Sequence, residues 1–377
     1  MEQTNNINKG LSKISNIVDN MDKAKLFLIL AILILAILII LYIKKQLTKN
    51  QDNDNNMVSG LSNIDNKITS INYNDASYQH KLRDYYIMSS YNSCSNGDFN
   101  NSYVSYEALK QVIKRGARLL DFEIYSVNNE TVVACSYTDN YYQKGSYNSL
   151  PFGKVMEIVN NYSFSASTCP NFRDPLFINL RIKSNEPKVY ETLSNTLVNT
   201  FKHHILPSKY NYQMNNQNIG SVPLKEFQNK VIFMCDKTNE VFTKSGLDEI
   251  INLTPGGIFC RKYRNYDIEY TPNYKEVILN NKKNMALSLQ DLSTSSGNMN
   301  STLHMKYGCQ MICMNFQNLD SNMLYYLDMF NNTGCAFILK PEELRYIPVT
   351  IGLPKKQDKE LSFANKEIKE DYFNHQI

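Results

Sequence analysis

The chain has 377 residues, a formal net charge of +4, eight Cys and no Trp. So small a charge over this length excludes the electrostatic footprint of a nucleic-acid binder, and 42% hydrophobic content excludes a wholly disordered chain. Eight Cys are too dilute for a disulfide-stapled scaffold. Residues 1–25 are polar, with a sparse stripe of Leu11, Ile14, Val18 and Met21 at helical spacing. Leu26 to Ile43 (LFLILAILILAILIILYI) then carry no charge and are bracketed by Lys23, Lys25, Lys44 and Lys45. As a helix this run spans about 27 Å, close to the hydrocarbon thickness of a bilayer. A secretory signal would have a shorter apolar run and a small-residue cleavage site, whereas Lys-Lys-Gln-Leu follows here. The reading is a single membrane-spanning helix over 26–43. Lysines on both sides give no orientation. The Cys residues lie mostly in apolar, strand-like runs, which favours a domain on the cytosolic side.

Residues 44–78 read as a juxtamembrane stalk with a second short stripe, Leu61, Ile64, Ile68 and Ile71. The stripes suit either a solvated stalk or weak self-association beside the membrane. From 79 to 353 the pattern becomes globular. Ala108, Leu109, Val112 and Ile113 mark an amphipathic helix that Gly116 ends. Strands are expected at 119–125, 131–136, 176–182 (LFINLRI), 230–235 (KVIFMC), 311–316 (MICMNF) and 336–339 (AFIL), with helices at 153–162 and 189–203. Strands alternating with helices point to an α/β architecture, most economically a barrel. Segments 208–220 and 292–302 read as polar linkers, and the charged residues 354–377 as a mobile tail. N-x-S/T sequons fall at Asn100, Asn129, Asn161, Asn252, Asn300 and Asn331, a number that an Asn-rich chain produces by chance.

Four stretches carry a resemblance. YYIMSSYNSCSNGD (85–98) and SYEALKQVIKRGARLLDFEIY (105–125) are similar to the X region of phosphoinositide-specific phospholipase C. That region has an aromatic strand, Ser-Ser-His-Asn-Thr, Gly-Asp, then a helix, Arg-Gly-x-Arg and Glu-x-Asp. GCQMICMNFQN (308–318) and NNTGCAFILKPEELR (331–345) resemble its Y region. The resemblance places an X-like part at 79–238 and a Y-like part at 284–350. It implies a distorted TIM barrel of the phospholipase C-like phosphodiesterase type, with its site at the C-terminal ends of the strands.

The family's chemistry uses two His as base and acid and a Ca²⁺ held by Asn, Glu, Asp and Glu. Here Tyr91 stands at the first His position and Tyr137 at the second. With a pKa near 10, only about one Tyr in a thousand is ionised at pH 7, so neither is a useful base. None of His80, His203, His204, His304 and His375 is an evident replacement; His304 reads as a loop residue. Asn92 matches the ligand Asn, and Asp121 and Glu123 match the two strand acids with their order exchanged. Arg181 replaces the fourth ligand. A guanidinium about 5 Å from Ca²⁺ repels it by about 6–7 kcal/mol at an effective dielectric of about 20. Asn92, Asp121 and Glu123 therefore read as the remnant of a calcium site, with Arg181 as a built-in cation and no cofactor expected. Substrate-binding cations also read as lost: Met234 and Asp236 follow one strand, and Ala286 and Ser288 stand before GCQM. Lys340 and Arg345 match the family but suit a structural role.

The expectation is a membrane-anchored phospholipase C-like protein without catalysis, binding a phosphoinositide or a protein partner or serving as a membrane component. The alternative is a divergent, calcium-independent phosphoric diester hydrolase in which Tyr91, Tyr137 and Arg181 act.

Overall fold

The apolar runs become strands because they are flanked by helices on one side and by each other on the other. A computed structural model describes residues 23–377 apart from 142, 212–217, 238, 349, 350, 357, 359 and 360. The Leu11–Met21 stripe and residues 212–217 of the 208–220 linker lie outside the described residues. Helix α1 (Lys23–Ser62) leads into β1 (Tyr85–Ser90), α2 (Tyr106–Lys114), β2 (Leu119–Val127), β3 (Glu130–Ala134), β4 (Leu150–Pro151) and α3 (Phe152–Ser163). Then come β5 (Leu176–Ile182), α4 (Pro187–Phe201), β6 (Val231–Cys235) and the single turn α5 (Glu240–Thr243). The second half contributes β7 (Cys260–Arg264), α6 (Asn265–Glu269), α7 (Tyr274–Lys283), β8 (Met285–Leu289) and α8 (Ser301–Lys306). It ends with β9 (Met311–Met314), α9 (Ser321–Thr333) and β10 (Phe337–Leu339).

Seven strands run parallel in the order β6-β5-β2-β1-β9-β8-β7. Among the described residues no ladder joins β6 to β7; Leu253 makes a parallel bridge to Met234 at that edge. β10 adds antiparallel to the start of β1, so the last strand of the second half seals the first strand of the first half. β5, β6, β8 and β9 are buried over nearly their whole length, as strands covered on both faces must be. This is an α/β barrel of the TIM type, distorted at β1–β2 and at the β6–β7 edge.

Helix α2 shows how local sequence sets an element. Ser105 caps it by accepting from Ala108 N at 2.9 Å, and Ala108, Leu109, Val112 and Ile113 form its buried face. Gly116 follows at φ +94, a conformation costly for any side chain, and a Cβ there would sit 2.8 Å from Ile68 Cγ2.

Three expectations need correction. α1 does not end at the apolar span, and the region expected as a stalk is no separate stalk. Met57, Leu61, Ile68 and Ile71 are buried in the barrel's core, so the second stripe is occupied within the chain. Segment 292–302 is no free linker. Asn298 and Asn315 exchange hydrogen bonds, Ser296 is held by Asp98 at 2.9 Å, and the segment runs into α8. The C-terminal unit Tyr346–Ile377 is compact by itself and holds an antiparallel hairpin, β11 (Glu367–Glu370) with β12 (Phe373–Gln376), where a mobile tail is expected.

Candidate functional site

Alternation along β2 turns Asp121 and Glu123 to the same side, into the barrel, where both side chains are fully buried. β5 lies beside β2 with Arg181 directly opposite Glu123 and Asn179 opposite Asp121. Register thus delivers one guanidinium to two carboxylates. Arg181 binds Asp121 through Nη2 at 2.6 Å and Nε at 3.0 Å, and Glu123 Oε1 through Nη1. Its side chain is only 10% exposed.

Asn92 closes the same cluster from the end of β1. Its backbone takes φ +43, which lets its N–H donate to Asp121 Oδ2 at 3.0 Å while its Oδ1 accepts from Arg181 Nη2 at 2.7 Å. Asn179 Nδ2 donates to Asp121 Oδ1 at 2.7 Å, and the Tyr125 hydroxyl donates to Glu123 Oε2 at 3.0 Å. Tyr91 lies beneath the guanidinium, 4.6 Å from ring centroid to Arg181 Cζ, and its hydroxyl accepts from Arg181 Nη1 and Arg264 Nη1 at 3.4 and 3.3 Å.

Burial works against the charge on Arg181, but Asp121, Tyr91 and Glu123 hold its pKa well above the ordinary value. Burial pushes the Tyr91 phenol up, and the two neighbouring guanidinium groups only partly oppose that. A divalent cation does not fit here. Each oxygen of Asp121 and Glu123, and Oδ1 of Asn92, already accepts from a donor, and Arg181 fills the space between them. Among the described residues no group of three His, Cys, Asp or Glu is arranged to hold a metal.

Above the cluster opens a cleft of about 380 Å³. Arg181 and Lys183 reach it from the end of β5, and Lys262 and Arg264 from the end of β7. Asp139 bridges Lys183 (3.0 Å) and Arg264 (3.1 Å), and Asp236 pairs with Lys262 at 2.5 Å. Burial would raise Asp139, but its hydrogen bond to Lys183 and the nearby cations carry its pKa below the usual carboxylate value. The positions read as having lost their cations do lack them, but the cleft is not without cations: they come from other positions. Ala286 and Ser288 are buried in β8, while the cations sit on the preceding strand. The alternation Arg261-Lys262-Tyr263-Arg264 carried that signal: residues two apart on a strand share a face.

The cluster thus brings together Tyr91, Asn92, Asp121, Glu123 and Arg181. Tyr137 stands apart, half-buried with its ring beside Gly145, and no hydrogen bond ties it to the cluster. None of the five His lines the cleft. His304 is not in a loop but on α8, fully buried, with Nε2 3.1 Å from Asn265 Oδ1; burial lowers its pKa to about 4. Lys340 is buried at the opposite end of the barrel, where Nζ donates to Asn281 O at 3.1 Å and burial lowers its pKa to about 7.

Comparison with known proteins accords with this architecture. The X domain of phosphatidylinositol-specific phospholipase C matches residues 78–237, and its Y domain matches residues 268–343. Among solved structures, PLC21 of S. officinalis superposes with a TM-score of 0.57 at 17% identity, and PLC21 of L. pealei with 0.59 at 16%. Each alignment covers 71% of this chain but only 38% of the other, so this chain spans about two fifths of those proteins. A calcium-dependent phosphoinositol-specific phospholipase C from Pseudomonas sp. aligns at 10% identity with a TM-score of 0.46, over 70% of this chain and 96% of its own. Curated proteins give no match. With both halves of the barrel matched in order, the chain belongs to the phosphatidylinositol-specific phospholipase C family.

Proposed function

We propose that this chain is a membrane-anchored phospholipase C-like barrel that binds an anionic phospholipid headgroup without hydrolysing it. One observation carries the reading: the position of the family's first His is a buried phenol wedged between two guanidinium groups. Hydrolysis of the phosphodiester needs a base for the attacking hydroxyl and an acid for the leaving group, both titrating near neutrality. The cleft supplies guanidinium groups that never deprotonate, a Tyr raised by burial, and carboxylates engaged with cations. What it retains suits binding. Lys183, Lys262 and Arg264 converge on a space of headgroup size, where phosphate oxygens compete with Asp139 and Asp236 for the same donors. Anchoring is supported by α1, whose residues Leu26 to Ile43 are all exposed, and which is long and apolar enough to span a membrane.

The test is phosphatidylinositol hydrolysis on liposomes, with Ca²⁺ and with chelator, alongside liposome binding. Binding without turnover in either condition is expected. A second reading rests on Arg181, a cation standing where the family's metal ligands converge. It makes the chain a calcium-independent phosphoric diester hydrolase. Turnover that survives chelation and is abolished by Tyr91→Phe or Tyr137→Phe would establish that reading and sink the first.

A further inference from the structure

The site's surroundings fix which way the barrel faces. α1 and α2 lie side by side and run in the same direction. Asp54 of α1 meets Ser105 at the start of α2 at 2.5 Å, while Ile64 and Asp65, just past α1, accept from Arg115 at its end, each at 2.7 Å. As the return helix between parallel β1 and β2, α2 runs from the C-terminal ends of the strands back to their N-terminal ends. The part of α1 before Asp54 therefore rises past the mouth of the barrel, the end on which the cleft opens.

That rise is tightly fastened. Asn96, only 3% exposed, donates from Nδ2 to Asn50 Oδ1 and Asp54 Oδ1, both at 2.8 Å. Lys49 Nζ donates to Asn101 O at 2.6 Å, and the Tyr103 hydroxyl to Gln46 O at 3.3 Å. Gly97 allows the close approach, since a Cβ there would lie 2.8 Å from Asn53 Nδ2. Gln46 is three helical residues, about 4.5 Å, from Ile43 at the end of the apolar span, and the helix is unbroken between them. Beside this exit the Tyr103 and Tyr147 rings pair at 5.4 Å, with Tyr147 half exposed, the residue type that suits headgroup depth.

We propose that α1 holds the barrel mouth-down on the bilayer it spans, so that the cleft faces phospholipid headgroups of the same leaflet. This rests on α1 being the anchor, and the experiment separates the two claims. All eight native Cys are buried, so a single surface Cys can be labelled selectively. Full-length Ser295→Cys (loop after β8, at the mouth) and Glu343→Cys (turn after β10, at the base) are each given a donor dye. They are reconstituted in phosphatidylcholine vesicles that carry a headgroup-linked acceptor. Energy transfer from residue 295 several-fold above that from residue 343 is expected. A flexible Gly-Ser insertion between Lys45 and Gln46 removes the difference. Equal or reversed transfer from protein that resists alkaline carbonate extraction overturns the orientation and leaves the anchor standing. Release by carbonate overturns both. A difference that survives the insertion overturns the helix as its cause.

Discussion

Arg181 shows how one side chain can be a cornerstone of folding and a determinant of chemistry together. Asp121 and Glu123 are fully buried, and its guanidinium is the cation between them. Removing one partner of a buried ion pair leaves uncompensated charge and typically costs about 3–5 kcal/mol. Arg181→Met is expected to lower the unfolding free energy by about that much in urea titrations. Adding Asp121→Asn and Glu123→Gln should recover a good part of the loss. If Arg181→Met alone is neutral, the cluster is not the buried network described. Calorimetric titration of the unaltered chain with millimolar Ca²⁺ is expected to give no binding heat.

A second residue-scale effect lies at the barrel's base. Lys340 has a folded pKa lowered to about 7 by burial, against about 10.4 when unfolded. Between those values the unfolded chain holds the extra proton, so the contribution of Lys340 to stability is lost as pH falls and grows as pH rises. From pH 7 to 8 this group alone should raise stability by about 1 kcal/mol, while the eight thiols exposed on unfolding begin to ionise and pull the other way by about as much. Lys340→Met should lower the stability change between pH 7 and 8 by about 1 kcal/mol relative to the unaltered chain, the thiol contribution being common to both; identical pH profiles would show that Lys340 contributes nothing.

At the scale of elements, legibility followed the kind of contact each element makes. Strands β2, β5, β6 and β9 announce themselves as apolar runs, and β1 through the family motif. Arg181 is set beside Asp121 and Glu123 by the family's ligand positions. Alternation gives only that the two acids share a face, and the register of β5 on β2 comes from the structure. β7 was missed. Its exposed cations break the apolar pattern, yet they are the groups that line the cleft. The docked face of α1 was equally hidden. Its upper contacts come from Gln46, Lys49, Asn50, Asn53 and Asp54, polar residues that carry no hydrophobic period, so the segment reads as solvated. Only Met57 and Leu61 betray the packing. Leu61→Ala should destabilise the barrel by about 2–4 kcal/mol through the cavity it leaves. A fragment starting at 79 should be markedly less stable than one starting at 46. Matching denaturation curves for the two fragments would mean that the helix rides on the barrel without supporting it.

For the molecule as a whole, composition and compartment are linked through the cysteines. All eight are unpaired and buried, and burial raises the pKa of the thiols, most of them to about 11 or beyond. Thiolate is the reactive form, so the folded chain should resist a water-soluble thiol reagent. Titration should find no reactive thiols in the native protein and the full set after denaturation in the absence of reductant. Early reaction of any of them would point to local opening of the element that carries it. Of the six sequons, Asn252 and Asn331 are buried, so the folded barrel offers at most the other four to modification on any side of a membrane.

The guanidinium at the centre of the site also sets how this barrel responds in time. A bound metal comes and goes with its concentration, and a protein built around one inherits that rhythm. Here the central charge is covalently part of the chain and is present in every copy from the moment of folding. Under the headgroup-binding reading proposed above, the site is therefore constitutive: liposome binding is expected to be the same in millimolar Ca²⁺ and in chelator, and a calcium-dependent change in binding would count against it.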